Sequence, residues 1–84
     1  MTVAIHEVQS PIPGIFYRRP SPDQPEYFNP GDTVFAGDTI GLVEVMKQFA
    51  EIKAGADGVI TAFHVDSEAI IGPGDLIASI QTSE

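Results

Sequence analysis

The sequence predicts an all-β sandwich or barrel, and three observations carry that prediction. Short runs rich in β-branched residues recur along the chain, around Val34, Ile40 to Val45, Val59 to Val65, Ala69 to Ile71 and Leu76 to Ile80. Gly31-Asp32, Gly37-Asp38, Asp57-Gly58 and Gly74-Asp75 punctuate them at the spacing typical of strands joined by tight turns. The third is an internal repeat. Val34-Phe35-Ala36-Gly37-Asp38-Thr39-Ile40-Gly41 aligns with Ile71-Gly72-Pro73-Gly74-Asp75-Leu76-Ile77-Ala78 at an offset of 37, and Gly14-Ile15-Phe16 with Gly58-Val59-Ile60 at an offset of 44. The first half therefore carries about seven extra residues, which fall in a Pro-rich stretch.

Taken in order, Val3 and Ile5 alternate with Ala4 and His6 and read as a first strand. Pro11 and Pro13 cannot donate to a ladder, so the strand stops there, and Ile15-Phe16-Tyr17 resumes an extended run. Arg18 to Pro30 holds prolines at 20, 22, 25 and 30, which makes it a stiff loop. A loop of that length in a small domain is usually either functional or disordered. Pro30-Gly31 and Pro73-Gly74 suit type II turns, with proline presetting the first central φ and glycine accepting the positive second one. The Asp residues beside the glycines are expected to satisfy turn N–H groups. Val34, Ile40, Leu42, Val43, Ile60, Ile71, Leu76 and Ile80 are the expected core.

The 84 residues are sufficient for one domain, 1–84, and favour a module over a self-contained enzyme with a deep cleft. Four basic against 12 acidic residues give a formal charge of −8, which disfavours nucleic acid and anionic membrane surfaces as partners. The absence of cysteine removes disulfides, thiolate metal sites and a cysteine nucleophile. His6 and His64 lack metal-ligand spacing, so neither a metal nor a catalytic group is expected. With no signal pattern and no long apolar run, the expected location is cytoplasmic.

One stretch stands apart. Lys47 lies among Leu42, Val43, Glu44, Val45, Met46, Gln48 and Phe49, in the longest apolar neighbourhood of a chain with few basic residues. Leu42, Val45, Phe49 and Ile52 recur at helical spacing, so residues 42–54 read alone as an amphipathic helix with Lys47 facing water. The alternative is a hairpin with arms 40–45 and 48–54 and its turn at Met46-Lys47. Local pattern leaves both open, while the repeat favours the hairpin as the connection between two similar halves.

Glu44-Val45-Met46-Lys47, followed by Phe49, Glu51-Ile52 and Gly58-Val59-Ile60, resembles the Glu-Ala-Met-Lys-Met signature of biotinyl domains. Ser10-Pro11-Ile12-Pro13-Gly14-Ile15-Phe16-Tyr17-Arg18-Arg19-Pro20-Ser21-Pro22-Asp23 is similar to a run found in bacterial biotin carboxyl carrier subunits of acetyl-CoA carboxylase. The matches span Ser10 to Ile80. The resemblance implies a flattened β-barrel (a barrel-sandwich hybrid) of two four-stranded antiparallel sheets with quasi-twofold symmetry. It further implies biotin attached covalently to Lys47 at a hairpin tip, and a protruding thumb loop, about 19–26, whose Arg19, Pro20, Ser21 and Pro22 lie near the biotin. Glu44, Val45, Met46 and Gln48 would form the turn that a biotin protein ligase recognises.

The function so implied is that of a non-catalytic carrier. It would take carboxybiotin from a biotin carboxylase to a carboxyltransferase, of acetyl-CoA carboxylase in fatty acid synthesis or of a related acyl-CoA carboxylase. Val45 departs from the usual Ala, Gln48 from the usual second Met, and Arg19 from a Thr common in the thumb. Two other readings stand beside this one: a lipoyl carrier, whose acceptor usually lies between Asp and Ala, and an unmodified interaction module. Lys53 reads as a solvated strand residue.

Overall fold

The computed structural model describes residues 3–21 and 23–83. Eight strands form, and no helix occurs among the described residues: β1 (Val3–Gln9), β2 (Gly14–Tyr17), β3 (Thr33–Val34), β4 (Thr39–Val45), β5 (Gln48–Lys53), β6 (Gly58–Phe63), β7 (Ile70–Ile71) and β8 (Leu76–Ser83). They make two four-stranded antiparallel sheets, ordered β1-β8-β6-β3 and β5-β4-β2-β7. Advancing every strand of one sheet by four, cyclically, generates the order of the other. This is the quasi-twofold arrangement that the repeat predicts.

Between the sheets lies one apolar cluster that includes Phe16, Val34, Ile40, Val43, Ile60 and Ile77. Strand alternation explains its membership, since every second side chain points inward. The sequence-based core needs two corrections. Leu76 is only half-buried, and Ile77 takes the interior place as Ile40 does one repeat earlier. Leu42 is buried but lies outside the central cluster, sharing its strand face with Glu44. Phe16, not singled out in the sequence, is fully buried.

The repeat also explains two glycines. A Cβ on Gly14 would stand 2.4 Å from the Glu44 carbonyl oxygen, and one on Gly58 would stand 2.2 Å from that of Gln81. Gln81 is the repeat equivalent of Glu44, so the same close approach is built twice.

The Gly-Asp turns behave as predicted. Carboxylates of Asp32, Asp38 and Asp75 each accept from the backbone N–H three residues earlier, at 2.8, 2.9 and 2.7 Å. Asp57 instead reaches across to the N–H of Ala36, at 2.7 Å. Gly31 and Gly74, each following a proline, adopt φ of 98° and 86°, as the third position of a type II turn requires.

The register defines two poles. Val45 pairs with Gln48 at one end of the β4–β5 ladder and Thr39 with Lys53 at the other. From Lys53 the chain continues to Gly58, whose neighbour Val59 pairs with Gln81, and Gln81 with Ile5. Met46-Lys47 therefore occupies one pole, and the start of β1 and the end of β8 occupy the opposite one.

Candidate functional site

Residues 42–54 form a hairpin, not a helix, and Met46-Lys47 is its two-residue turn. The four residues at helical spacing divide between the two faces. Leu42 and Phe49 point outward, while Val45 and Ile52 pack against or within the core. Met46 has φ 52° and Lys47 φ 67°, the pair of left-handed residues that a type I′ turn needs. That turn matches the twist of its strands, but it normally uses Asn and Gly. Two L-residues with large side chains hold it here at a steric cost.

Exposure follows from that geometry. Met46 is 91% exposed, and Lys47 and Gln48 are also exposed, so the tip stands clear of the body. Val45 is half-buried and packs against the core, anchoring the turn. Arg18 and Arg19 each approach Glu26, and Lys53 approaches Glu51. Among the described residues, Lys47 is thus the one basic side chain without a carboxylate partner. Lys53 is the solvated strand residue expected, bound to Thr39 at 2.9 Å.

Glu44, two residues before the tip on the outer face, accepts a 2.9 Å hydrogen bond from the Tyr17 hydroxyl. Tyr17 in turn lies against Phe49, ring centroids 6.2 Å apart and tilted by 54°. The Glu44 hydrogen bond, with partial desolvation and the charges of Glu44 and Glu68, raises the phenol pKa above its usual 10.0. These contacts brace the outer face of the hairpin.

Beside that face is a groove of about 540 Å³, bordered by Tyr17, Arg19, Pro20, Ser21, Phe49 and Glu68. The structure thus brings Arg19, Pro20 and Ser21 of the β2–β3 loop together with the hairpin. Pro22 lies outside the described residues. Ser21 donates to Asp23 at 2.6 Å, which lowers the Asp23 pKa and tightens the loop tip. A second depression, about 370 Å³, is bordered by Val45, Met46 and Gln48 together with Ile12. The four predicted turn residues therefore surround Lys47, with Glu44 tied to Tyr17 and the others bordering this depression.

Arg18, not picked out as a site residue in the sequence, is what holds the β2–β3 loop. Its guanidinium meets Glu26 at 3.2 Å, donates to the Phe28 carbonyl at 3.0 Å and to Asn29 at 3.2 Å, and stacks 4.2 Å from the centre of the Phe63 ring. Its backbone N–H donates to Ser67 Oγ at 3.3 Å. A planar fork with a delocalised charge can make all these contacts together, and a lysine could not. Glu68 is likewise marked by no motif; the repeat carries the signal for it, because its counterpart is Gly31.

Comparison with known proteins agrees with this arrangement. Residues 6–80 match the biotin/lipoyl family, described as "Biotin-requiring enzyme". The biotin carboxyl carrier protein of acetyl-CoA carboxylase from Streptococcus pyogenes serotype M6 is 40% identical over 74 residues, covering 88% of this chain and 45% of that protein. The protein of the same name from Chlamydia trachomatis is 40% identical over 68 residues, covering 81% of this chain and 38% of its own. The chain thus spans less than half the length of these curated relatives. The crystal structure of Kluyveromyces lactis urea carboxylase superposes with a TM-score of 0.75 at 25% identity, over 92% of this chain and 6% of that one. With a hairpin-borne lysine, the quasi-twofold pair of sheets and a family match over residues 6–80, this chain belongs to the biotin/lipoyl domain family of biotin-requiring enzymes.

Proposed function

We propose that Lys47 is the acceptor for covalent biotin, and that the domain is a carrier which moves a carboxyl group from a biotin carboxylase to a carboxyltransferase. The partners would be those of acetyl-CoA carboxylase, named in the relatives from Streptococcus and Chlamydia, or of a related acyl-CoA carboxylase. The observation that carries the reading is Lys47 itself, exposed at a left-handed two-residue turn whose neighbours are braced from below.

The residues present fit such a group. A ligase needs one amine presented at a defined position, and a rigid turn on two paired strands provides it. Met46 and Gln48 flank the amine, and Glu44 and Val45 hold the turn to the sheet, so these four form the ligase-facing surface. Amide formation at Nζ would remove the charge of Lys47, leaving every other basic side chain among the described residues beside a carboxylate. Biotin, when bound, supplies a ureido nitrogen that accepts and releases a carboxyl group. The chain's own contribution is to present the attachment point and to confine what is attached to a small volume, raising its effective concentration to about the millimolar range for a short flexible link. Arg19, Pro20 and Ser21 border the groove beside Phe49 and form the thumb side of that volume. The carrier performs no chemistry of its own in this reading, and its place of action is the cytoplasm.

Intact mass after co-expression with a biotin ligase tests this. A biotin-sized gain, lost in Lys47→Arg and retained in Lys53→Arg, is the expected result. A lipoyl-sized gain, or none with a cognate ligase, would overturn it.

A further inference from the structure

One side chain of the groove sits where backbone sterics oppose it. Glu68 is exposed with φ 72°, a conformation that L-residues other than Asn and Asp seldom adopt. The fold builds this turn twice. In the first half Gly31 N–H donates to the Ile60 carbonyl, Ile60 N–H to Asp32, and Asp32 N–H to Asn29. In the second half Glu68 N–H donates to Phe16, Phe16 N–H to Ala69, and Ala69 N–H to Asp66. Gly31 has φ 98° and fills the same place as Glu68 without strain. The turn therefore needs no side chain at this position, and only the second copy faces the groove.

The groove around Glu68 has a defined character. Phe49, Tyr17 and Pro20 provide flat apolar walls, and the volume of about 540 Å³ lies within the range of small-ligand sites. Arg19 borders it too; its guanidinium shares the Glu26 carboxylate with Arg18, at 3.8 Å against 3.2 Å, and so keeps part of its charge, which the carboxylates of Glu68 and Glu44 outweigh. Glu44 approaches through its bond to Tyr17. An anionic ligand is thus disfavoured, and a neutral planar one with N–H groups is favoured. Phe49 is two residues from Lys47, about 7 Å along a strand, so a ligand tethered at Nζ can reach the groove.

We propose that Glu68 is a specificity-determining residue of this groove, its carboxylate accepting N–H hydrogen bonds from an uncharged cyclic urea seated between Phe49 and the Pro20 wall. This rests on the carrier reading above for the identity of the tethered ligand, the ureido ring of biotin. The left-handed backbone at Glu68 is then the cost of placing an acceptor at the groove rim.

The test compares wild type with Glu68→Gly and Glu68→Gln, each biotinylated at Lys47 and checked by intact mass. Ring N–H exchange with solvent and the amide shifts of Tyr17, Arg19 and Phe49 are read by NMR. The expected result is severalfold slower ring N–H exchange in wild type than in Glu68→Gly, an intermediate value in Glu68→Gln, and a higher Tm for Glu68→Gly. Equal exchange in all three would overturn the proposal while leaving the carrier reading intact. If no biotin is found on Lys47 the carrier reading fails separately, and 2-imidazolidinone titrated into the unmodified protein then decides. Groove shifts lost in Glu68→Gly support the acceptor role, and their absence in wild type refutes it.

Discussion

Replacing Met46-Lys47 with Asn-Gly should make the domain more stable while removing its proposed acceptor. Both residues occupy the left-handed region, at φ 52° and 67°, where an L-residue with a bulky side chain costs about 1 kcal/mol. Met46→Asn relieves part of that cost, because Asn tolerates the region, and Lys47→Gly relieves the rest. Glycine returns about 0.5–1 kcal/mol through the extra freedom of the unfolded chain. Little packing is lost, since Met46 is 91% exposed and Lys47 is exposed too. The net expectation is a gain of about 1 kcal/mol, which raises Tm by roughly 4–8 °C in a domain of this size. Urea unfolding of the two unmodified proteins measures it, the midpoint moving up at constant slope. An unchanged or lower midpoint would refute the claim that the turn is strained.

Two further outcomes follow from the contacts around the hairpin. The Tyr17 phenol should titrate above 10, because the bond to Glu44 favours its protonated form, and Glu44→Gln should bring it back toward the usual value in a UV or NMR titration. The sign is that of an acid whose folded pKa is raised: the stabilisation is present below about pH 10 and fades as pH rises through the folded value. Arg18→Ala should destabilise by about 2 kcal/mol, since the Phe28 carbonyl and the Asn29 side chain lose their donor and Glu26 keeps only the longer contact to Arg19. The same substitution should speed protease cleavage between 19 and 27, and Arg18→Lys should restore little of the loss.

Much of the fold was legible because the chain states it twice. The offsets of 37 and 44 correctly pair β3 with β7, β4 with β8 and β2 with β6, and the Gly-Asp turns close as local chemistry says they should. The region around Lys47 was ambiguous for a physical reason. Across a two-residue turn, alternation on two strands imitates a helical period, and Leu42, Val45, Phe49 and Ile52 fall on both faces of the sheet. Arg18 was illegible because its partners, Glu26, Phe28, Asn29 and Phe63, converge only when the loop folds over β6. Glu68 differs again. Its left-handed backbone is invisible in a residue that normally avoids it, and the only trace in the sequence is the repeat, which sets Glu68 opposite Gly31.

The placement of the turn has a practical side. Thr39 and Val45 are six residues apart along β4, so roughly 20 Å of paired strand separates the lysine from the pole where β1 starts and β8 stops. Any polypeptide joined ahead of Val3 or beyond Ser83 would leave from that far pole. A reporter, an affinity matrix or a neighbouring domain attached there would hold the molecule by its base, with the lysine turned away from the anchor and open to an incoming enzyme.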